Sequence, residues 1–287
     1  MNSENYLKRK KRLIEKALDS YLPSVKKRPI PLHQAMRYSV FAGGKRLRPI
    51  LAIATFELAG AKGNAILPVA CALELIHTYS LIHDDLPCMD DDDLRRGKPT
   101  SHKIFGDGMA VLAGDALHAL AFELLSKAEN PKLISEIAHE IGTCGMVGGQ
   151  AADLQAEGKR VTVAQVNLIH AHKTGALIKA SIRAGAILAG ATGKKLTALT
   201  SYGERFGLAF QIVDDILDAT GKAEMLGKKT KADVSKGKAT YPKVLGVEKS
   251  KRIAKKLLEE AKAELKVFSG DEQMLKELAN HMINRMN

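Results

Sequence analysis

Apolar side chains recur along this chain at the three- and four-residue spacing of a helix, and nowhere at the alternation of a strand. The pattern predicts an amphipathic helix over 1–22, stopped at Pro23, and another from His33 to Phe41 before Gly43-Gly44. Further helices are predicted over Pro49–Leu58, Pro68–Asp85, 109–128, Pro131–Thr143, 145–154, Val163–Ala189 and Leu199–Leu217, with two or three more from Tyr241 to the end. Breaks fall at Arg28-Pro29-Ile30-Pro31, Gly60–Gly63, Pro87, Gly97-Lys98-Pro99-Thr100 and Gly190–Gly193. There is no repeat of 20–50 residues and no internal linker. The expectation is one all-α domain over 1–287.

Polar residues interrupt the apolar faces in a few places, and these carry the chemistry. Asp84-Asp85 and Asp90 to Asp93 crowd the end of the fourth helix, with Arg95-Arg96 directly after. Pro87 should end that helix and let Asp90 fold back towards Asp84. His77, Ser80 and Asp84 share one helical face. Gln211, Asp214, Asp215 and Asp218 share another, where they repel one another without a cation. Clustered carboxylates suit a hard cation, and Mg²⁺ takes one or two of them together with substrate phosphates. Guanidinium groups suit the phosphates.

Gly43-Gly44-Lys45-Arg46-Leu47-Arg48-Pro49 sets three cations at a helix start, where they oppose the helix dipole. They suit a bound anion better than helix stability. Small residues over 145–154 let another element approach closely, and Gln150 and Asp153 share a face there. His170, Lys173, Thr174 and Leu177 form one stripe of an otherwise apolar helix. Lys222–Lys238 is Gly- and Lys-rich, and reads equally as a simple flexible loop or as a cover for a phosphate.

Composition adds charge and compartment. The net charge is +12 and the pI near 9.5, so either a solvated basic surface or an anionic partner is implied. The run Lys8–Arg12 has no interleaved aromatic residue, which favours a solvated helix face over nucleic acid. Cys71, Cys88 and Cys144 form no paired framework and fit a reducing compartment. No signal peptide and no apolar run long enough to span a bilayer are expected.

In this order GGKRLRP (43–49), SLIHDDLPCMDDDDLRRGKPT (80–100), GGQAADL (148–154), KTGAL (173–177) and FQIVDDILD (210–218) resemble the motifs of the trans-isoprenyl diphosphate synthases. Within them they are most similar to the bacterial farnesyl diphosphate synthases, and the resemblance covers nearly the whole chain. It implies a bundle of ten or more helices around a central cavity, a cytoplasmic homodimer, and Mg²⁺-dependent ionisation, condensation and elimination. It also implies roughly three Mg²⁺ ions in a substrate-bound site, with Mn²⁺ as a substitute. The substrates it implies are isopentenyl diphosphate with dimethylallyl or geranyl diphosphate; nucleic acid is not among the partners.

Carried over by position, the resemblance makes Asp84, Asp90 and Asp214 metal ligands. It makes Asp85, Asp153 and Asp218 supporting acids that hold metal-bound water. Lys45, Arg48, His77 and Arg96 match the pocket for the isopentenyl diphosphate group, and Arg95, Lys173, Lys228 and Lys238 the cations on the allylic diphosphate. Thr174 and Gln211, beside Lys173, match the catalytic oxygens facing the developing cation. Tyr79, five positions before Asp84, is the implied chain-length floor, with Ser80 beside it. An aromatic residue there, with the four-residue insert between Asp85 and Asp90, points to a fifteen-carbon product, farnesyl diphosphate. Geranylgeranyl diphosphate is the alternative.

The basic stretch Lys229-Thr230-Lys231 departs from the family's small-residue loop and leaves the roles of Lys228 and Lys229 undivided. Two other classes compete. A class I terpene cyclase would carry Asn/Asp, Ser/Thr and Glu in its second metal motif and would have no use for GGKRLRP. A non-catalytic regulatory subunit would lose aspartates that this chain keeps.

Overall fold

A computed structural model describes residues 3–221, 237–268 and 272–286. The helices are α1 (Ser3–Tyr21), α2 (Ile30–Val40), α3 (Leu47–Leu58), α4 (Leu67–Asp84), α5 (Ser101–Phe105), α6 (Asp107–Ser126), α7 (Pro131–Ile141) and α8 (Met146–Ala156). They continue with α9 (Val163–His170), a π-turn (Ala171–Gly175), α10 (Ala176–Leu188), α11 (Gly193–Ala219), α12 (Tyr241–Leu245), α13 (Val247–Glu264) and α14 (Gln273–Arg285). The fold is all-α, as the spacing of apolar residues predicts.

Two expectations are corrected. Where 97–100 reads as a loop, Leu94–Arg95 (β1) and Lys98–Pro99 (β2) pair as a minimal antiparallel hairpin. Arg96 and Gly97 at its turn have φ of 55° and 75°, the left-handed pair that such a two-residue turn requires. The other correction concerns bilayer-length runs. By length and composition α6 is apolar enough to cross a membrane, with mean hydropathy 1.4. In the fold one side of it is buried, through Ala110, Ala113, Gly114, Leu117, Ala121, Leu124 and Leu125, and packs against α4 and α2, while Val111 and Leu112 are exposed.

The described chain divides into two compact units. The first comprises residues 1–50 and 64–130, the second 51–63 and 131–287, so α3 gives its first turn to one and the rest to the other. In the first, α4 is the central element. It buries residues on every face, including Val69, Leu73, Ile76, Tyr79 and Ile82, as an all-round apolar helix must. In α1 the buried residues Tyr6, Lys10, Ile14 and Leu18 step by four, and α1 lies on α4. Its basic run is largely answered within the helix, by Lys8 on Glu4 at 2.6 Å and Lys10 over the Tyr6 ring.

In the second unit α11 is central, with α10 and α13 against it. Leu199, Phe206, Ile212, Val213, Ile216 and Leu217 are buried on it, and Tyr202 donates to the Leu275 carbonyl at 2.8 Å. The N-terminus of α9 carries a reciprocal cap, in which Thr162 and Gln165 satisfy each other's backbone N–H groups.

Candidate functional site

In the first unit the sharp stop of α4 shapes the acid cluster. After Asp84 the chain turns back at Pro87, and the Asp90 N–H donates to the Asp84 carbonyl at 2.8 Å. A second bond, from Asp92 N–H to the Asp85 carbonyl at 3.2 Å, closes the same turn. This bend brings together two acids whose sixfold separation puts them on different helical faces. Asp84 and Asp90 remain half-buried, whereas Asp85 is only 3 % exposed. Asp85 is held by Arg95, whose Nε lies 2.9 Å from Oδ1 and whose Nη2 reaches the same oxygen. Arg95 also contacts Asp92 at 3.3 Å, and Asp93 pairs with Lys103 at 2.8 Å.

The Gly43–Arg48 loop lies in the same unit and is held by an ion pair that the sequence reading missed. Gly43, Gly44 and Arg46 have φ of 110°, 118° and 53°. The last is costly for a long side chain. Arg46 is fixed there by burial: its Nη1 donates to Glu74 Oε1 at 2.8 Å and its Nη2 to the Val40 carbonyl at 2.8 Å. Both side chains are almost fully buried. Lys45 is exposed and Arg48 half-buried on either side of this anchor. The signal for it is Glu74, a lone acid within the apolar run of α4.

Arg96, at the turn of the hairpin, lays its guanidinium across Gly44 and donates to the Gly43 carbonyl. A Cβ at Gly44 would meet Arg96 Cζ at 2.7 Å. Burial holds the His77 imidazole well below its ordinary range, and the charges of Arg48, Arg96, Arg95 and Arg46 press it the same way. His77 is therefore neutral near pH 7. Tyr79 is buried, its ring 4.7 Å from that of His118, which in turn lies 5.2 Å from Phe122. Burial, then the Asp84 charge, push the Tyr79 hydroxyl up to about 12. Ser80 is occupied by the His77 carbonyl at 3.0 Å.

In the second unit the π-turn is the organising feature. Single π-turns inside α-helices recur at functional sites. It interrupts the helix predicted over Val163–Ala189 and carries Lys173 and Thr174. Gly149 of α8 packs on the Lys173 backbone and leaves no room there for a Cβ. Gly207 of α11 does the same at Gly175, where a Cβ would come within 2.8 Å of the Gly175 Cα. The small residues at 145–154 thus admit the π-turn. Lys173 Nζ lies 2.6 Å from Asp153 Oδ2, and Lys238 Nζ lies 3.3 Å from the same oxygen and 2.5 Å from Glu157 Oε1. Asp153 is therefore a shared counterion for two lysines.

On α11 the aspartates divide by burial. Asp214 is half-buried and meets Arg285 at 3.1 Å, a partner that the sequence reading did not include. Asp218 is buried. Asp215 is buried and accepts from Gln211 at 2.9 Å, and Gln211 in turn accepts from Thr174 at 2.7 Å. Gln150 has both amide atoms buried without a partner. Lys228, with Lys229 and Lys231, lies outside the described residues.

Among the described residues no three acidic, imidazole or thiol groups converge to cage a cation by themselves. Within the first unit, Asp84 and Asp90 keep accessible surface beside the buried Asp85, which is tied to Arg95; within the second, Asp214 is half-buried beside the buried Asp215 and Asp218. Carboxylates of that kind are the donors that a magnesium ion takes in ones and twos, its remaining ligands being phosphate oxygens and water.

A family model described as polyprenyl synthetase matches residues 30–281. Geranylgeranyl diphosphate synthase of Cyanophora paradoxa is 47% identical over 294 residues, covering 100% of this chain and 97% of that one. Farnesyl diphosphate synthase of Escherichia coli (strain K12) is 47% identical over 281 residues, covering 94% of each. The solved structure of a geranyltransferase from Helicobacter pylori, complexed with magnesium and isoprenyl diphosphate, has a TM-score of 0.84 at 32% identity. It covers 99% of this chain and 97% of its own.

Proposed function

The chain belongs to the polyprenyl synthetase family and is a trans-prenyl diphosphate synthase, and from that premise we propose that its product is farnesyl diphosphate, built from isopentenyl and dimethylallyl diphosphates through geranyl diphosphate. The observation that carries the product length is Tyr79. Its ring is buried five positions before Asp84 and backed by His118 and Phe122, which supports reading it as the bulk that a longer prenyl tail would meet. Geranylgeranyl diphosphate is the second reading, favoured by the Cyanophora relative, which is as similar as the Escherichia one.

The family is magnesium-dependent. In this proposal Asp84, Asp90 and Asp214 hold the ions, which when bound draw charge onto the leaving diphosphate. Asp85, Asp153 and Asp218 orient the groups around them. Lys45, Arg48, neutral His77 and Arg96 bind isopentenyl diphosphate, while Arg95, Lys173 and Lys238 bind the allylic diphosphate. Thr174 and Gln211 face the allylic cation with their oxygens. The rate arises from fixed charges and dipoles aimed at developing charge in a site that excludes water.

Incubation with Mg²⁺, isopentenyl diphosphate and dimethylallyl diphosphate, followed by chromatography of the dephosphorylated products, tests the reading. A fifteen-carbon main product is expected, and Tyr79→Ala should shift it towards twenty carbons or more. A wild-type product of twenty carbons sinks the farnesyl assignment, and an unchanged product from Tyr79→Ala removes Tyr79 as the floor. Gly44→Ala should displace Arg96 and strain a backbone with φ of 118°. It is expected to raise KM for isopentenyl diphosphate about tenfold, one charge-assisted contact's worth, with KM for the allylic substrate nearly unchanged. Steady-state kinetics with each substrate varied in turn decides this, and equal rises in both constants count against the assignment of Arg96.

A further inference from the structure

Four groups of the second unit form one continuous hydrogen-bonded chain. His170 Nε2 lies 2.7 Å from Asp215 Oδ2, and the Tyr241 backbone N–H donates to the same oxygen at 3.0 Å. Gln211 Nε2 donates to Asp215 Oδ1 at 2.9 Å, and Thr174 Oγ1 donates to Gln211 Oε1 at 2.7 Å. His170 and Asp215 are 4 % and 2 % exposed, so water does not compete for them.

The donors and acceptors of this chain have one consistent order. An ionised carboxylate only accepts, so His170 and Gln211 must both donate to Asp215. With its amide nitrogen committed, Gln211 turns its oxygen to Thr174. The threonine hydroxyl has a single proton and gives it to that oxygen. What Thr174 then offers to any other group is lone pairs, and Gln211 Oε1 keeps one as well. Both oxygens of Asp215 are thus engaged by groups of the protein.

We propose that His170 and Asp215 are positioning residues that fix the hydrogen-bond polarity of Gln211 and Thr174, so that these two present only oxygen lone pairs to the allylic cation. The inference rests on the reading above, in which Thr174 and Gln211 face that cation. It adds what holds them in that sense. With the order reversed, amide protons would point at a developing positive charge and oppose it. With the order fixed, the dipoles are set before the charge appears and need no reorganisation.

The test compares His170→Phe, Asp215→Asn and His170→Gln with the wild type. Phenylalanine keeps a ring beside Tyr241, whose own ring lies 5.6 Å from that of His170, but donates nothing. Glutamine carries an amide nitrogen to about the reach of Nε2. His170→Phe and Asp215→Asn are expected to lose about 10- to 100-fold in kcat, in the range of one removed preorganised contact. KM for both diphosphates and the Mg²⁺ concentration at half-saturation should stay within about twofold. His170→Gln should recover to within about fivefold of the wild type. A kcat near wild type in either of the first two variants overturns the proposal, as does a defect in Asp215→Asn that added Mg²⁺ relieves. If His170→Phe does not fold, as a thermal melt would show, Asp215→Asn carries the same decision. A wild type that elongates nothing brings down the functional reading together with the proposal, whereas an active wild type with indifferent variants brings down the proposal alone.

Discussion

Asparagine in place of Asp84 is expected to lower kcat by about 10²- to 10⁴-fold, the several kcal/mol that a metal ion supplies when charge moves onto a leaving group. The substitution is conservative in shape. The bond that shapes the acid turn runs from the Asp90 N–H to the Asp84 backbone carbonyl, so changing the side chain leaves the turn standing. What is lost is one negative charge at a half-buried position. The variant should also need more Mg²⁺ for half-maximal rate and should melt close to the wild type. Titration of initial rate against Mg²⁺ concentration, beside a thermal melt, is the measurement. A variant with wild-type kcat and an unshifted magnesium curve would remove Asp84 from the metal.

Leucine in place of Glu74, with Arg46 left alone, should be the most damaging single change to stability. It takes from a guanidinium, 1 % exposed, its close carboxylate partner and leaves it the Val40 carbonyl and the Glu15 carboxylate at 3.8 Å. Breaking a buried pair from one side costs about 3–5 kcal/mol. Replacing both members by apolar residues of similar volume is often close to neutral. The double variant Arg46→Met, Glu74→Leu should therefore recover most of the loss and give a coupling energy above about 2 kcal/mol. It should still bind isopentenyl diphosphate poorly, because the left-handed turn at position 46 has lost what held it. Denaturant midpoints at unchanged m-value read the stability, and a single variant within about 0.5 kcal/mol of the wild type refutes the role given to the pair.

The two stability and activity changes also mark what the sequence makes legible. Helices with a single dry face were readable because burial leaves a period: Leu133, Ile137 and Ile141 in α7, or Ala254, Leu258 and Ala261 in α13. The aspartate motifs and GGKRLRP were readable because clustered like charge needs a counter-ion wherever it folds. The hairpin at 94–99 was not, since two residues per strand are too few to alternate. The π-turn at 171–175 was not, because one extra residue in a helix leaves the spacing of apolar side chains nearly intact. The Arg46–Glu74 pair needed the third dimension: their 28-residue separation carries no periodic trace. The same holds for Asp215 with His170, and for Arg285 with Asp214. In each case a charged residue that looks like part of a motif, or like surface, is committed to a distant partner.

The double duty of Asp153 has a consequence for turnover. Lys173 and Lys238 both rest on it, and Lys238 on Glu157 as well. Neither lysine waits as an uncompensated charge, so in the role proposed for them an arriving diphosphate would exchange one set of ion pairs for another. The net attraction is the difference between two charge-assisted contacts and is smaller than either. The exchange runs backwards with the same ease. On the same proposal, when a prenyl product departs the lysines would close again on their own carboxylates, and no buried cation would be stranded by its leaving. A site that gripped diphosphate with bare lysines would bind its substrate and its product with equal tenacity and would be slow to empty.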